Sequence, residues 1–225
     1  MRTTTVIDTG MMGTSIALAL RAKSVQVYLR DVDPAVAASA AALGAGAVEM
    51  PTGPVDIAVI AVPPSQIADV LADCQANGIA RVYTDVGSVK AAPLAAAEAI
   101  GCDLTNYVGG HPMAGSERSG PTAASPSLFL GRPWVLTPLA CTEAHAIEAV
   151  TELDRLAGAN PSVMTPADHD RAVPGPLTCR IWSRRSSRRV FRALTTPCWG
   201  CAAPGFGTRH GSPQAMPRYG PTSCP

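Results

Sequence analysis

What most restricts the folds open to this chain is its alternation of short β-branched runs with alanine-rich stretches of helical periodicity. Thr3 to Ile7 is a β-branched strand, Asp8-Thr9-Gly10-Met11-Met12-Gly13 is a glycine turn, and Thr14 to Lys23 carries Ile16, Ala17 and Leu20 at helical spacing. Val25 to Leu29 is a second strand ending in Arg30-Asp31, and Pro34 to Gly46 a second helical stretch. The unit then repeats. Asp56 to Val62 is an apolar strand ended by Pro63-Pro64 and followed by a helix from Ser65 to Ala76. Arg81 to Asp85 is a strand followed by a helix from Ala91 to Ile100, and Asn106 to Gly109 is one more strand. Such repetition implies right-handed crossovers and a parallel sheet. The expected fold is therefore α/β, Rossmann-like and doubly wound, with a mostly parallel sheet. Gly10, Val62, Ser88 and His111 should emerge together on the carboxyl edge, where open sheets of this kind bind ligands. Beyond it, Pro133 to Thr137 reads as a strand, Glu143 to Leu156 as an amphipathic helix and Ser162-Val163-Met164 as a further strand. A last helix starts at Pro166 with Asp168 as its cap, and Pro174-Gly175-Pro176 breaks it.

Glycines at 10 and 13 between a strand and a helix suit the start of a dinucleotide-binding βαβ unit, with Gly10, Met12, Gly13, Val62 and Pro63 around the cofactor. Asp31 follows Gly13 at close to the distance at which an acid accepts hydrogen bonds from the adenosine ribose, which favours NAD over NADP. The fingerprint departs from its pattern at Asp8, which stands where the first glycine belongs. An aspartate there adds a Cβ and a negative charge beside the pyrophosphate. Two unit charges about 4 Å apart repel by ~4 kcal/mol at a protein-surface dielectric, so cofactor affinity should suffer.

His111 opens the run His111-Pro112-Met113-Ala114-Gly115-Ser116-Glu117-Arg118-Ser119-Gly120, directly after the strand closed by Gly109-Gly110. No cysteine or second histidine stands at ligand spacing, so proton transfer suits this imidazole better than metal binding, and no metal site is expected. From the residues alone, Ser88 reads as a helix cap ahead of Val89 to Ile100 and Glu117 with Arg118 as a solvated loop pair.

The net charge of +1 hides a sharp asymmetry: residues 1 to 173 hold 10 Lys/Arg against 17 Asp/Glu, whereas residues 174 to 225 hold 8 Arg and no acid. The expected organisation is a globular domain over 1–173 and a disordered Pro/Gly/Arg-rich tail over 174–225. No apolar stretch approaches the ~18 residues of a membrane span and no signal peptide opens the chain, so the expected location is cytoplasmic. Isolated Cys74, Cys102 and Cys141 agree, as reduced thiols. In the tail, the arginine cluster Ser183 to Arg189 comes without a nucleic-acid-binding motif, and Cys198-Trp199-Gly200-Cys201 comes without partner ligands at zinc spacing. Neither nucleic acid nor membrane is an expected partner.

Together these segments resemble the prephenate dehydrogenase family. The resemblance rests on Val6 to Leu20, Asp31 with Pro34, Asp56 to Pro64, Asp85-Val86-Gly87-Ser88-Val89-Lys90, the run from His111 to Gly120, Phe129-Leu130-Gly131-Arg132 and His169-Asp170, ending near Val173. It implies NAD-dependent oxidative decarboxylation of the small molecule prephenate to 4-hydroxyphenylpyruvate, in tyrosine and hence aromatic amino acid biosynthesis. By resemblance His111 takes the proton of the C4 hydroxyl, Ser88 orients the imidazole or that hydroxyl, and Ser116 and Glu117 line the substrate mouth. Arogenate dehydrogenase and a non-catalytic NAD-binding remnant stand as alternatives. The family continues past this point into a helical domain that supplies homodimer contacts and cationic anchors. Here the composition changes abruptly instead, which points to a tail translated from a shifted reading frame and to activity lost with that domain.

Overall fold

The computed structural model describes residues 1–115 and 117–173; the expectations for the tail and for Ser116 lie outside the described residues. Four strand–helix pairs come first: β1 (Thr3–Ile7) with α1 (Met11–Arg21), β2 (Gln26–Arg30) with α2 (Pro34–Ala42), β3 (Val55–Ile60) with α3 (Ile67–Ala76), and β4 (Ala80–Asp85) with α4 (Ala91–Ala99). β5 (Tyr107–Pro112), β6 (Pro133–Thr137), α5 (Ala144–Leu156), β7 (Asn160–Val163) and α6 (Pro166–Ala172) complete the described chain. The strands form one sheet in the order β2-β1-β3-β4-β5-β6-β7. Every pairing is parallel except β5 with β6, so the fold is a Rossmann-like, mostly parallel α/β sheet.

Helices cover both faces, which is why the central strands read as unbroken apolar runs rather than as alternating ones. On one face Ile16 and Leu20 of α1, Ala40 of α2, and Val150 and Leu153 of α5 pack with Val27, Val59, Phe129 and Trp134. On the other, Ile67 and Leu71 of α3 and Ala97 of α4 pack with Ile60, Tyr83 and Tyr107.

Several boundaries differ from the sequence reading for local reasons. α1 starts at Met11 rather than Thr14, because Gly10 takes the extended conformation of an N-cap and its carbonyl already accepts the Thr14 amide. α2 stops at Ala42 rather than Gly46. Gly44 sits at φ +82, and the Gly44 and Ala45 amides donate back to Ala41 and Ala40, a Schellman ending. The chain then pairs Ala47 beside Tyr28. Asp168 is not the cap of α6: Thr165 is, its hydroxyl accepting the Asp168 amide at 3.1 Å and donating to the Asp168 carboxylate at 2.8 Å. The helix itself starts at Pro166, as expected, and runs through Ala172. Among the described residues no helix is long and apolar enough to cross a membrane.

Gly13 lets α1 press against the turn before it. A Cβ there would lie 2.0 Å from the Asp8 carbonyl oxygen and 3.0 Å from Val6. Because the first of these neighbours is backbone, Gly13→Ala should lower unfolding free energy by roughly 1–3 kcal/mol in urea titration, and a midpoint equal to the parent's would contradict this packing.

Candidate active site

The carboxyl ends of β1, β3, β4 and β5 open on a cleft of about 430 Å³. Gly10, Met12 and Gly13 line it from the first turn, Val62 and Pro63 from the end of β3, Ser88 from the end of β4 and His111 from β5. Asp31 and Glu117 are not among the lining residues; Arg118 and Ser119, which the sequence reading did not assign to the site, are.

The glycine turn has the shape of an anion cradle, with Gly10 as the N-cap of α1 and no acid in the first turn of that helix. Asp8 holds φ +74, and its Oδ1 accepts the Gly10 amide at 2.8 Å. Burial, aided by the like charge of Asp31, raises the pKa of Asp8 against the pull of that amide. Asp31 is tied to the same turn, its Oδ2 accepting both the amide and the hydroxyl of Thr9 at 2.7 Å and its Oδ1 the Asp33 amide. Burial works against ionisation of Asp31, but these donors outweigh it and hold its pKa below the usual carboxylate value. The tight helix packing at Gly13 and the small residues around the α1 terminus fit a dinucleotide; the Asp8 carboxylate, seated on a cradle amide, is the one poor match.

Beneath the imidazole of His111 lies a line of polar groups that spacing along the chain concealed. His111 Nδ1 lies 2.8 Å from Nε2 of His169, which is fully buried, and His169 Nδ1 lies 2.7 Å from Asp170 Oδ1. Asp170 in turn accepts the Lys90 amide at 2.9 Å and the Ala91 amide at 2.8 Å. It thus occupies the N-terminus of α4, the place in which Ser88 was one candidate cap, while Ser88 stays exposed at the cleft. An ionised Asp170 fixes the tautomers downstream. His169 donates from Nδ1 to the carboxylate, so its Nε2 accepts, so His111 donates from Nδ1 and carries its lone pair on Nε2. The absence of a second histidine at metal-ligand spacing therefore hid a hydrogen-bonded partner 58 residues away. Among the described residues no cluster suited to a metal ion is present.

A second buried group holds the floor. Lys90 donates from Nζ to Asp85 and, at 2.5 Å, to the carbonyl of Gly110; Tyr107 donates its hydroxyl to the other Asp85 oxygen at 2.5 Å. Gly109 makes room for this, since a Cβ there would meet Thr137 at 2.6 Å and Lys90 at 3.4 Å. Burial, then the neighbouring Lys90 charge and His169, push the pKa of His111 down to about 3, so its imidazole is neutral at any physiological pH.

The nucleotide-binding domain model of prephenate dehydrogenase matches residues 16–163. The chain belongs to the prephenate dehydrogenase family. It is 49% identical over 173 residues to the probable prephenate dehydrogenase NovF of Streptomyces niveus, covering 77% of this chain and 48% of that one. It is 32% identical over 170 residues to the prephenate dehydrogenase of Bacillus subtilis, covering 72% and 46%. The chain thus spans just under half the length of these relatives. Among solved structures, the Aquifex aeolicus prephenate dehydrogenase in complex with hydroxyphenyl propionate and NAD+ superposes with a TM-score of 0.66 at 26% identity, over 76% of this chain and 62% of that one. The Synechocystis arogenate dehydrogenase gives 0.67 at 26% identity, with the same coverage.

The depressed pKa of His111 sets a pH dependence. An unfolded histidine takes up its proton near pH 6.5 and folded His111 near 3, so its contribution to stability is intact above about 6.5 and lost as the pH falls from there toward 3. Asp154 runs the other way. Fully buried and without a hydrogen-bond partner among the described residues, its pKa is raised by burial to about 9, so its contribution is present below about 4 and lost as the pH rises toward 9. The difference between the parent and His111→Gln separates the two. The parent's urea midpoint, relative to that of the variant, should fall between pH 7 and pH 5, and an unchanged difference would contradict a buried neutral His111.

Proposed function

We propose that this chain is the dinucleotide-binding part of an NAD-dependent dehydrogenase that converts prephenate to 4-hydroxyphenylpyruvate in tyrosine biosynthesis. The observation that carries the reading is the line from Asp170 through His169 to His111, which presents a neutral imidazole of fixed tautomer beside the nucleotide cradle. When bound, NAD+ supplies the hydride acceptor for C4 of the substrate. As hydride leaves C4 and the ring carboxylate departs as CO2, the C4 hydroxyl becomes a carbonyl and must lose its proton. His111 Nε2 accepts that proton, and a base that is already neutral needs no prior deprotonation.

The remaining residues bind and position. The α1 terminus at Gly10, Met12 and Gly13 would receive the diphosphate, Asp31 the adenosine ribose, and Val62 with Pro63 the wall beside the nicotinamide. Ser88, exposed at the cleft, would hydrogen-bond the C4 hydroxyl, and the family resemblance assigns Ser116 and Glu117 to the substrate mouth. His169 and Asp170 act through His111 as positioning residues.

A second reading is favoured by the charge of the cleft. Prephenate carries two carboxylates, and among the described residues lining the cleft Arg118 is the one arginine or lysine. A chain that binds NAD+ but does not turn over prephenate is the expectation if further cations must come from elsewhere. Following NADH absorbance with prephenate and NAD+ decides between them. On the catalytic reading NADH appears, and His111→Ala lowers the rate by about 10²–10⁴-fold with NAD+ affinity unchanged. NAD+ binding without NADH supports the second reading, and turnover that survives His111→Ala contradicts the role of the imidazole.

A further inference from the structure

This inference rests on reading the cleft as a dinucleotide site, and it concerns the residue that fits that site worst. Asp8 follows β1 directly and begins the turn, and with its backbone left-handed at φ +74 its side chain reaches the start of α1. Oδ1 accepts the Gly10 amide at 2.8 Å. Gly10 is the N-cap residue of α1, the helix has no acid in its first turn, and the cap makes no side-chain hydrogen bond of its own. Asp8 also lines the cleft, with Met11, Met12 and Gly13 on the same wall. The carboxylate therefore sits where a helix start and a glycine turn would otherwise offer an amide to an incoming anion.

We infer that Asp8 is an internal competitor for the cofactor's diphosphate, occupying the Gly10 amide and setting the dinucleotide affinity of this chain below what its backbone would allow. A diphosphate entering the cradle must either displace the carboxylate from Gly10 or accept a like charge beside it. Asp31 sharpens the conflict, because its own carboxylate is anchored to the neighbouring Thr9 and stays in place. The left-handed backbone at Asp8 is one that asparagine tolerates and glycine adopts freely, so both substitutions leave the turn intact.

Isothermal titration of NAD+ into the parent, Asp8→Asn and Asp8→Gly reads the competition directly, with thermal melts confirming that all three fold. Asparagine keeps the side-chain oxygen and removes the charge; glycine removes both. The expected order of affinity is parent, then Asn, then Gly, with glycine at least about tenfold tighter than the parent. Equal dissociation constants, within about twofold, in three proteins that all bind NAD+ would overturn the competitor while leaving the dinucleotide site standing. Failure of all three to bind NAD+, the glycine variant included, would overturn the site itself and the inference with it.

Discussion

Asp170 reaches from α6 to the start of α4 and takes the amides of Lys90 and Ala91, some 80 residues away along the chain. That contact does two things at once. It satisfies the exposed donors of a helix start, a kind of cap worth about 1 kcal/mol, and it keeps a carboxylate ionised in a half-buried place. Burial of Asp170 favours the neutral acid, but those amides and the His169 ring outweigh it and hold its pKa below the usual carboxylate range. The charge so fixed dictates which nitrogen of His169 carries a proton, and hence which nitrogen of His111 is left to accept one. A chemical property of the cleft is thus decided by a helix that does not line it.

Around this line the sheet is built for close approach. Lys90 is 3% exposed, yet it finds Asp85 and the Gly110 carbonyl within reach because β5 carries two glycines at the crossing. Buried ion pairs of this kind add little net stability when intact, but loss of one partner strands a charge at a cost of about 3–5 kcal/mol. The Asp85-Val86-Gly87-Ser88-Val89-Lys90 run therefore acts as a structural clamp. Gly87 donates its amide to Asp85 at 2.6 Å, Lys90 closes the loop, and Ser88 is left at the surface of the cleft. The lysine charge beneath His111 also helps keep that imidazole neutral.

Much of this was legible in the sequence. Strand–helix alternation foretold a mostly parallel sheet, and the carboxyl-edge rule foretold that Gly10, Val62, Ser88 and His111 would share one cleft, which they do. What escaped were relations between residues distant along the chain. His169-Asp170 is visible as a doublet in a helix, but nothing in its local pattern tells that it packs beneath His111. Likewise Asp168 and Thr165 both suit a helix start, and only the hydrogen-bond directions distinguish the cap from the third residue of the first turn. The burial of Lys90 beneath β5, where its Nζ donates to the Gly110 carbonyl, is likewise a long-range relation with no local signal. Asp31 was legible as an acid at the right distance, but its engagement by Thr9 was not.

The tautomer of His111 is the property on which the account turns, and NMR can observe it. Long-range ¹H–¹⁵N spectra of the histidine-labelled protein at pH 7 separate protonated from bare ring nitrogens. Both His111 and His169 are expected as neutral rings, each carrying its proton on Nδ1 with a bare Nε2. A protonated imidazolium at His111, or a neutral ring with its proton on Nε2, would contradict this, because the nitrogen required to accept the substrate's proton would already hold one.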